Sequence, residues 1–98
     1  MIQLGEKINL KDFKDNLEPG EITILKKIIG NQANHLGEFT KLSLHLKSVH
    51  KKEKSQKYQI NAQLEINNAL YEAESTNFNL FFAINEVLDK LKTEVNRN

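Results

Sequence analysis

The chain of 98 residues contains no cysteine and no tryptophan, and it has a single proline and a single arginine. Without cysteine it has neither a disulfide framework nor a thiolate metal site, and a reducing compartment fits it best. Residues Met1 to Glu6 lack the basic and apolar blocks of a signal peptide, and the longest apolar run, Leu80 to Ile84, is too short to cross a bilayer. We therefore expect a cytoplasmic protein without a membrane partner.

The scarcity of arginine limits how the chain can recognise other molecules. Lysine contacts phosphate as a point charge, whereas bidentate reading of guanine needs a guanidinium group, and Arg97 is the one available. A length of 98 residues is typical of one domain, and the sequence has no internal repeats or low-complexity segments. We therefore expect a single domain spanning residues 1–98.

The net charge of +1 conceals an uneven distribution along the chain. Residues 1–40 carry five lysines against six acids, and residues 58–98 carry three basic residues against six acids. Residues 41–57 carry six lysines against the single acid Glu53, a local charge of +5. A polyanionic partner that met only this middle segment would meet a strongly basic surface.

The first of two predicted helices runs from Glu18 to about Leu36. Its apolar residues recur at the three- and four-residue steps of an amphipathic helix. Pro19 suits its first turn, and Gly37 suits its C-terminal end. Gly30 costs roughly 1 kcal/mol in a helix relative to alanine, so it predicts a kink or a close approach of the sheet.

The second predicted helix runs from Asn77 or Asn79 to about Val95. Both asparagines, and Thr76 before them, are plausible N-caps. One helical face collects the apolar side chains Leu80, Phe81, Ile84, Val87, Leu88, Leu91 and Val95.

Two long strands are predicted from apolar residues that alternate with polar ones, which buries one face of each strand and leaves the other wet. They run from Phe39 to Lys47 and from Lys57 to Ile66. Residues 48–56 form a polar connection that is too short for a crossover helix. The two strands should therefore be antiparallel neighbours.

Shorter strands are predicted on either side of this pair. Residues 1–15 contain two short alternations that suit one or two strands. Asn67–Asn68 is a good tight-turn pair because asparagine tolerates positive φ, and it leads into a further strand, Ala69 to Ser75. The sequence does not decide which face of that strand is buried, since Leu70 and Tyr71 compete for the core.

These elements predict an α+β fold in the order β-α-β-β-β-α. The two amphipathic helices are expected to pack on one face of a four-stranded sheet, as in double-stranded-RNA-binding domains.

The lysines of residues 41–57 are the feature with the clearest functional meaning. They flank the predicted hairpin tip, where their mutual repulsion would be relieved by phosphates and the release of counterions. Lysines at strand tips also discourage aggregation, so a purely protective role is the alternative. We favour contact with RNA or DNA. The polar sheet face adds groups that suit sugar and phosphate contacts: Ser43, His45, Gln59, Asn61 and Gln63.

Acidic and aromatic residues limit this surface. Glu65, Glu72 and Glu74 should make the far end of the sheet acidic. Tyr58 has the parity of the core, and no pair of aromatic residues falls on the polar face. This argues against a stacking platform for single strands of the kind found in RNA-recognition motifs.

No catalytic, metal or cofactor site is predicted. His35, His45 and His50 are scattered, and no cysteine or closely spaced carboxylate joins them. No glycine-rich phosphate loop is present, and no nucleophile, base and orienting group fall together. We expect a protein that is not an enzyme and has no small-molecule substrate.

Three stretches carry a resemblance to a known family. They are Lys41–Lys47, Lys57–Leu64 and Asn79–Leu91, the last reading NLFFAINEVLDKL. They resemble two strands and the most recognisable helix of the ribosome hibernation-promoting factors, also called ribosome-associated inhibitor proteins. Asn79 and Asn85 stand where that family usually has aspartates.

The resemblance implies the same β-α-β-β-β-α fold and a partner, the small ribosomal subunit. Members of the family sit near the decoding region, contact ribosomal RNA through basic surfaces, and occlude tRNA and mRNA. Carried over by position, the RNA-binding residues would be His45, Lys47, Lys51, Lys52, Lys54, Lys57, Lys90 and Lys92, together with Lys26 and Lys27 on the first helix.

Two other functions remain open at the level of the sequence. One is a double-stranded-RNA-binding module that is not specific to the ribosome, because its α-β-β-β-α core has the same order. The other is a protein-interaction module that uses an exposed strand edge. We expect a monomer when the protein is free.

Overall fold

A twisted sheet with two helices on one face forms the domain. The computed structural model describes residues 2–4, 7–13, 17–52 and 55–96, and at 2–4, 48–52 and 55–56 it describes the backbone only. The strands are β1 (Ile2–Leu4), β2 (Ile8–Lys11), β3 (Lys41–Lys52), β4 (Ser55–Ile66) and β5 (Ala69–Asn77), and the helices are α1 (Pro19–Ala33) and α2 (Leu80–Asn96).

The strands lie in the sheet in the order in which they occur in the chain. β2 is parallel to β3, with α1 as the crossover between them, and the other three pairs are antiparallel. The predicted α+β class and the β-α-β-β-β-α order are confirmed, with β2 to β5 as the four main strands. A fifth strand, the three-residue β1, pairs with the outer edge of β2 because both short alternations near the N-terminus form strands.

The core lies between the helices and the inner face of the sheet. Leu42 and Leu44 of β3 have no exposed surface and Leu46 is 4% exposed, so the predicted alternation is confirmed. Burial of each such side chain stabilises the fold by roughly 1.5–3 kcal/mol. The remaining buried residues of β4 and the helices are Ile60, Ala62, Leu64, Leu25, Ile29, Ala33, Leu80, Ala83, Ile84, Val87, Leu88 and Leu91.

Helix α1 begins and ends where its residue types predict. Pro19 is its first residue, and the backbone N–H of Glu18 donates to Glu21 Oε1 at 3.1 Å. A 3₁₀ turn, Asn34–Leu36, continues it to Gly37, whose φ of 79° ends the helical path. Gly30 is exposed, and a Cβ built there meets no atom within 4 Å, so the predicted close approach of the sheet is wrong.

Helix α2 is capped by Asn79, one of the three plausible N-caps in the sequence. Its Oδ1 accepts hydrogen bonds from the backbone N–H groups of Phe81, at 2.9 Å, and Phe82, at 3.1 Å. Asn77 contributes before the cap, since its Oδ1 accepts from the N–H of Asn79 at 3.0 Å. These bonds satisfy donors that would otherwise be unpaired at a helix start.

The turn between β4 and β5 settles the face that the sequence left open. Asn67 and Asn68 have φ of 49° and 67°, the two positive values of a type I′ hairpin turn. The register then places Tyr71 opposite Leu64 on the inner face and Leu70 opposite Glu65 on the outer one. Leu70 is accordingly 59% exposed.

The β3–β4 hairpin is longer than predicted. Residues 48–56 were expected to be a connection, but the strands remain paired to Lys51↔Gln56 and Lys52↔Ser55. Hydrophobic alternation detects a strand only where one face is buried, and the sequence has no such pattern beyond Leu46. The register also shifts between Leu46 and Ser48, which leaves Lys47 as the extra residue of a β-bulge.

Gly30→Ala should stabilise the protein. The position is helical, exposed and open, so alanine gains up to about 1 kcal/mol of helix propensity. We expect the midpoint of thermal unfolding, followed by circular dichroism, to rise by about 4–8 °C per kcal/mol for a domain of this size.

Gly37→Ala is the matched control. Its φ of 79° and ψ of −158° belong to a region that essentially only glycine adopts, so the same change there should cost about 1–3 kcal/mol. A lower midpoint for Gly30→Ala would contradict the open environment of that position.

Candidate nucleic-acid interface

The outer face of the sheet is not covered by either helix and collects most of the polar side chains of the strands. Pairing of β2 with β3 places Asn9 beside Ser43 and Lys11 beside His45. Pairing of β3 with β4 and of β4 with β5 adds the polar residues of those two strands to the same face. The face therefore presents Asn9, Lys11, Ser43, His45, Lys47, Gln59, Asn61, Gln63, Glu65, Glu72 and Glu74.

A shallow depression of about 330 Å³ lies on the β2–β3 side of this face. Its basic lining comes from Lys11 of β2 and from His45 and Lys47 of β3. The bulge takes Lys47 out of the regular ladder, and bulges commonly redirect a side chain in this way. The rest of the lining includes the amide side chains of Asn9, Asn61 and Gln63 and the hydroxyl group of Ser43, together with Leu44.

His45 is held in place by Asp12. Its Nε2 lies 2.7 Å from Asp12 Oδ2, and the two side chains are 32% and 57% exposed. Asp12 itself has φ of 65°, a conformation that aspartate adopts more readily than most residues. The pair orients the imidazole at the rim of the depression.

Asn61 is the polar residue of the depression that is least well satisfied. Its Oδ1 is buried and has no hydrogen-bond partner among the described residues. A buried acceptor without a partner costs about 1–3 kcal/mol.

The β5 side of the same face is acidic. Gln63 Nε2 donates to Glu72 Oε1 at 3.1 Å, and Gln59 Nε2 donates to Glu74 Oε1 at 2.8 Å. The two glutamines thus separate the carboxylates of β5 from the cations of β2 and β3. The outer face is therefore divided lengthwise into a basic side and an acidic side. Of the three acids expected at the far end of the sheet, Glu65 lies there on β4, opposite Lys41, whereas Glu72 and Glu74 lie along β5.

Beyond the bulge the hairpin continues as an arm, in which residues 48–52 of β3 pair with residues 55–59 of β4. Lys57 lies where the basic side of the face meets this arm. Its Nζ is 4.9 Å from the centre of the Phe78 ring, a cation–π contact. Lys57 pairs with His50 in the ladder, and Lys51 and Lys52 follow along β3. Lys54, a further predicted site residue, lies outside the described residues, as do the side chains of Lys51 and Lys52.

The four helix lysines lie on the other side of the sheet. Lys26 and Lys27 are exposed on α1. Lys90 and Lys92 are two residues apart on α2, so their side chains point in nearly opposite directions. Lys90 Nζ donates to the backbone carbonyl of Glu74 at 2.8 Å, in a recess that also contains Glu72, Glu86, Asp89 and Glu94.

The structure therefore divides the predicted site residues. It brings His45, Lys47 and Lys57 together on the outer face and places Lys26, Lys27, Lys90 and Lys92 in the helical layer. Their role in RNA binding stays a prediction in every case.

Three residues were missed as candidates: Lys11, Asn61 as an unpaired acceptor, and Phe78. Lys11 lies two residues from Asn9 on the same strand, so the alternation predicts that its side chain is exposed to solvent. Its place beside His45 follows only from the parallel pairing of β2 with β3.

Several solved structures share this fold, including two that match almost the whole of this chain. A ribosomal subunit interface protein from Coxiella burnetii matches with a TM-score of 0.64 at 9% identity, over 93% of this chain and 92% of that one. The N-terminal domain of Protein Y from Thermus thermophilus matches with a TM-score of 0.60 at 17% identity, over 92% of this chain and 93% of that one. No protein-family model matches the sequence, and no curated protein does.

These likenesses establish the fold alone, because both identities are low. Membership of the hibernation-factor family remains a prediction that the shared fold supports. In the part of the chain that the structure describes, no three histidine or acidic side chains are grouped as metal ligands would be, and neither helix is long and apolar enough to span a membrane.

Asn61→Val should raise the free energy of unfolding by about 1 kcal/mol. The substitution removes the unpaired buried acceptor and introduces a residue that favours strands. Chemical denaturation followed by circular dichroism measures the change.

Gln63→Val is the matched control, since Gln63 lies on the same strand and face but has Glu72 as its partner. Both variants share the gain in strand propensity, so the difference between them reports the unpaired oxygen. Equal stability changes would show that Asn61 carries no such cost.

Proposed function

We propose that this protein is a ribosome-associated factor that binds ribosomal RNA of the small subunit and thereby inhibits translation or preserves idle ribosomes. The observation that carries the proposal is the concentration of lysines along the β3–β4 hairpin and the adjoining side of the outer sheet face. The proposal includes no catalytic step, cofactor or small-molecule substrate.

The shape and charge of the hairpin suit a groove lined by phosphates. Each of its strands has 12 residues, about 40 Å at the usual rise, which matches the 43 Å long axis of the molecule. Residues 41–57 supply six lysines against one acid. Binding to RNA would neutralise these charges and release the counterions that phosphates hold.

The choice of the ribosome rests on the fold. One solved protein with this fold is described as a ribosomal subunit interface protein, and the match covers almost the whole of both chains. The resemblance of three sequence stretches to hibernation factors points to the same partner. Neither argument depends on the charge distribution, which adds an independent reason for RNA.

The proposed interface begins on the outer face and continues to the hairpin tip. It consists of Lys11, His45, Lys47, Lys51, Lys52, Lys54 and Lys57. Lys26, Lys27 and Lys92 lie in the helical layer, where they would form a second contact in a ribosomal cleft that encloses the domain. Lys90 is the predicted residue least suited to phosphate, because its ammonium group donates to the backbone carbonyl of Glu74 in a recess lined by acidic residues.

Binding should depend steeply on salt. If four to six lysines neutralise phosphates, log affinity should fall against log salt with a slope of roughly −3 to −5, at about −0.7 to −0.9 for each phosphate. Cosedimentation with purified small subunits over a series of salt concentrations measures the slope. A flat response would exclude phosphate docking, and no binding at low salt would exclude the proposal as a whole.

Charge reversal should locate the docking surface. Lys47→Glu with Lys57→Glu, and Lys26→Glu with Lys27→Glu, are matched double variants that both change the net charge from +1 to −3. We expect the outer-face variant to reduce subunit binding at least tenfold more than the helix variant, because long-range attraction is weakened equally in both. The reverse order would place the interface on the helical layer.

The triple variant Lys51→Glu, Lys52→Glu and Lys54→Glu tests the hairpin arm in the same assay. Loss of subunit binding is the expected result. Equal affinity of the unmodified protein for naked duplex RNA and for subunits would favour a general double-stranded-RNA module instead. If the triple variant keeps the function of the unmodified protein, and the protein self-associates as its concentration rises, a protein-interaction module is favoured.

A further inference from the structure

Phe78 is an exposed aromatic residue directly beside the proposed RNA-binding surface. It follows Asn77, the last residue of β5, which pairs with Tyr58 of β4. Continuing that register by one position brings Phe78 opposite Lys57, and the Lys57 ammonium lies 4.9 Å from the centre of its ring. Phe78 is nevertheless 61% exposed, so most of the ring is not used in packing.

We propose that Phe78 and Lys57 form a binding site for one unpaired RNA nucleotide, with its base stacked on the Phe78 ring and its phosphate contacted by Lys57. This inference rests on the proposed function and names the part of the RNA that this corner of the surface recognises.

The geometry of the pair suits a nucleotide. The ammonium group occupies one face of the ring, and the exposed remainder offers a flat apolar surface of the kind on which bases stack. A nucleotide joins a flat base to a phosphate, so it meets both groups at once. In a duplex the faces of the bases are covered by their neighbours, and the site is therefore selective for an unpaired position such as a loop, bulge or end.

The charges around Phe78 favour RNA over an apolar protein partner. Lys57 is at the root of a hairpin arm whose strands continue through Lys51 and Lys52, so the ring borders the segment of charge +5. An exposed aromatic ring within a cationic surface matches the composition of sites for single-stranded nucleic acid.

Phe82 provides an internal contrast. It is 64% exposed, about as much as Phe78, but it lies in the first turn of α2. Its helical neighbours three, four and seven residues on are Asn85, Glu86 and Asp89. Acidic neighbours disfavour a phosphate, so Phe82 serves as the matched position at which no nucleotide should bind.

Single tryptophan substitutions test the site, because the natural chain has no tryptophan. Phe78→Trp and Phe82→Trp each place a single fluorophore at an exposed aromatic position. The probes are a single-stranded adenosine 12-mer RNA, a blunt RNA duplex of the same length, and an abasic 12-mer that keeps the phosphates. Anisotropy of a labelled copy of each RNA measures binding by the unmodified full chain in parallel.

We expect the single strand to quench Phe78→Trp and to leave Phe82→Trp unchanged. The duplex and the abasic strand should bind without quenching either variant. Phe78→Ala should weaken binding of the single strand by about 5- to 100-fold and leave binding of the duplex within about twofold, which is the usual cost of losing one stacked base.

The possible failures are distinguishable. If the RNAs bind but Phe78→Trp is not quenched, or if both tryptophans are quenched equally, the stacking site is wrong and the proposed function stands. If neither RNA nor small subunits bind the unmodified protein at low salt, both proposals are wrong. If Phe78→Ala weakens the single strand and the duplex equally, the ring acts by supporting the hairpin and the nucleotide site is again wrong.

Discussion

Burial of Leu42, Leu44 and Leu46 beneath the two helices determines which face of β3 meets water. Side chains alternate along a regular strand, so these leucines leave Ser43 and His45 on the outer face, and Lys47 joins them at the bulge. The neighbouring strands take their register from β3 on one side and β4 on the other, and their polar residues join the same face. A slip of one residue would exchange the two faces, which is why the leucines fix the whole surface.

That outer face holds several features that the packing of the core does not require. Lys11 and Lys47 share one depression, an acceptor of Asn61 is buried without a partner, and the Phe78 ring is exposed beside Lys57. Repulsion between the lysines and lost hydration of the buried acceptor both cost stability in the isolated domain. Such costs are expected to concentrate where a protein binds something, since a partner can offset them.

Much of this architecture was predictable because it depends on local chemistry. The local signals are a helix start at Pro19, a helix end at Gly37, an N-cap at Asn79 and a tight turn at Asn67–Asn68. The leucine alternation reports burial directly. The bulge at Lys47 and the arm beyond it escaped prediction because no apolar pattern marks them. The site was predictable only in part, since parity shows that Lys47 is wet but not that Lys11 lies near it. The bond from Lys90 to the Glu74 carbonyl joins two distant elements and has no counterpart in the sequence.

The bulge between Leu46 and Ser48 also separates a segment whose length the core fixes from a segment whose length can vary. On the core side of it, insertion or deletion of one residue would turn the leucines outward and unfold the domain. On the arm side the sequence has no leucine alternation to disturb, so residues can be added or lost in cross-strand pairs while the core keeps its register. Among related chains we therefore expect the length of the arm to vary, while the segment from Leu42 to Leu46 keeps a constant length.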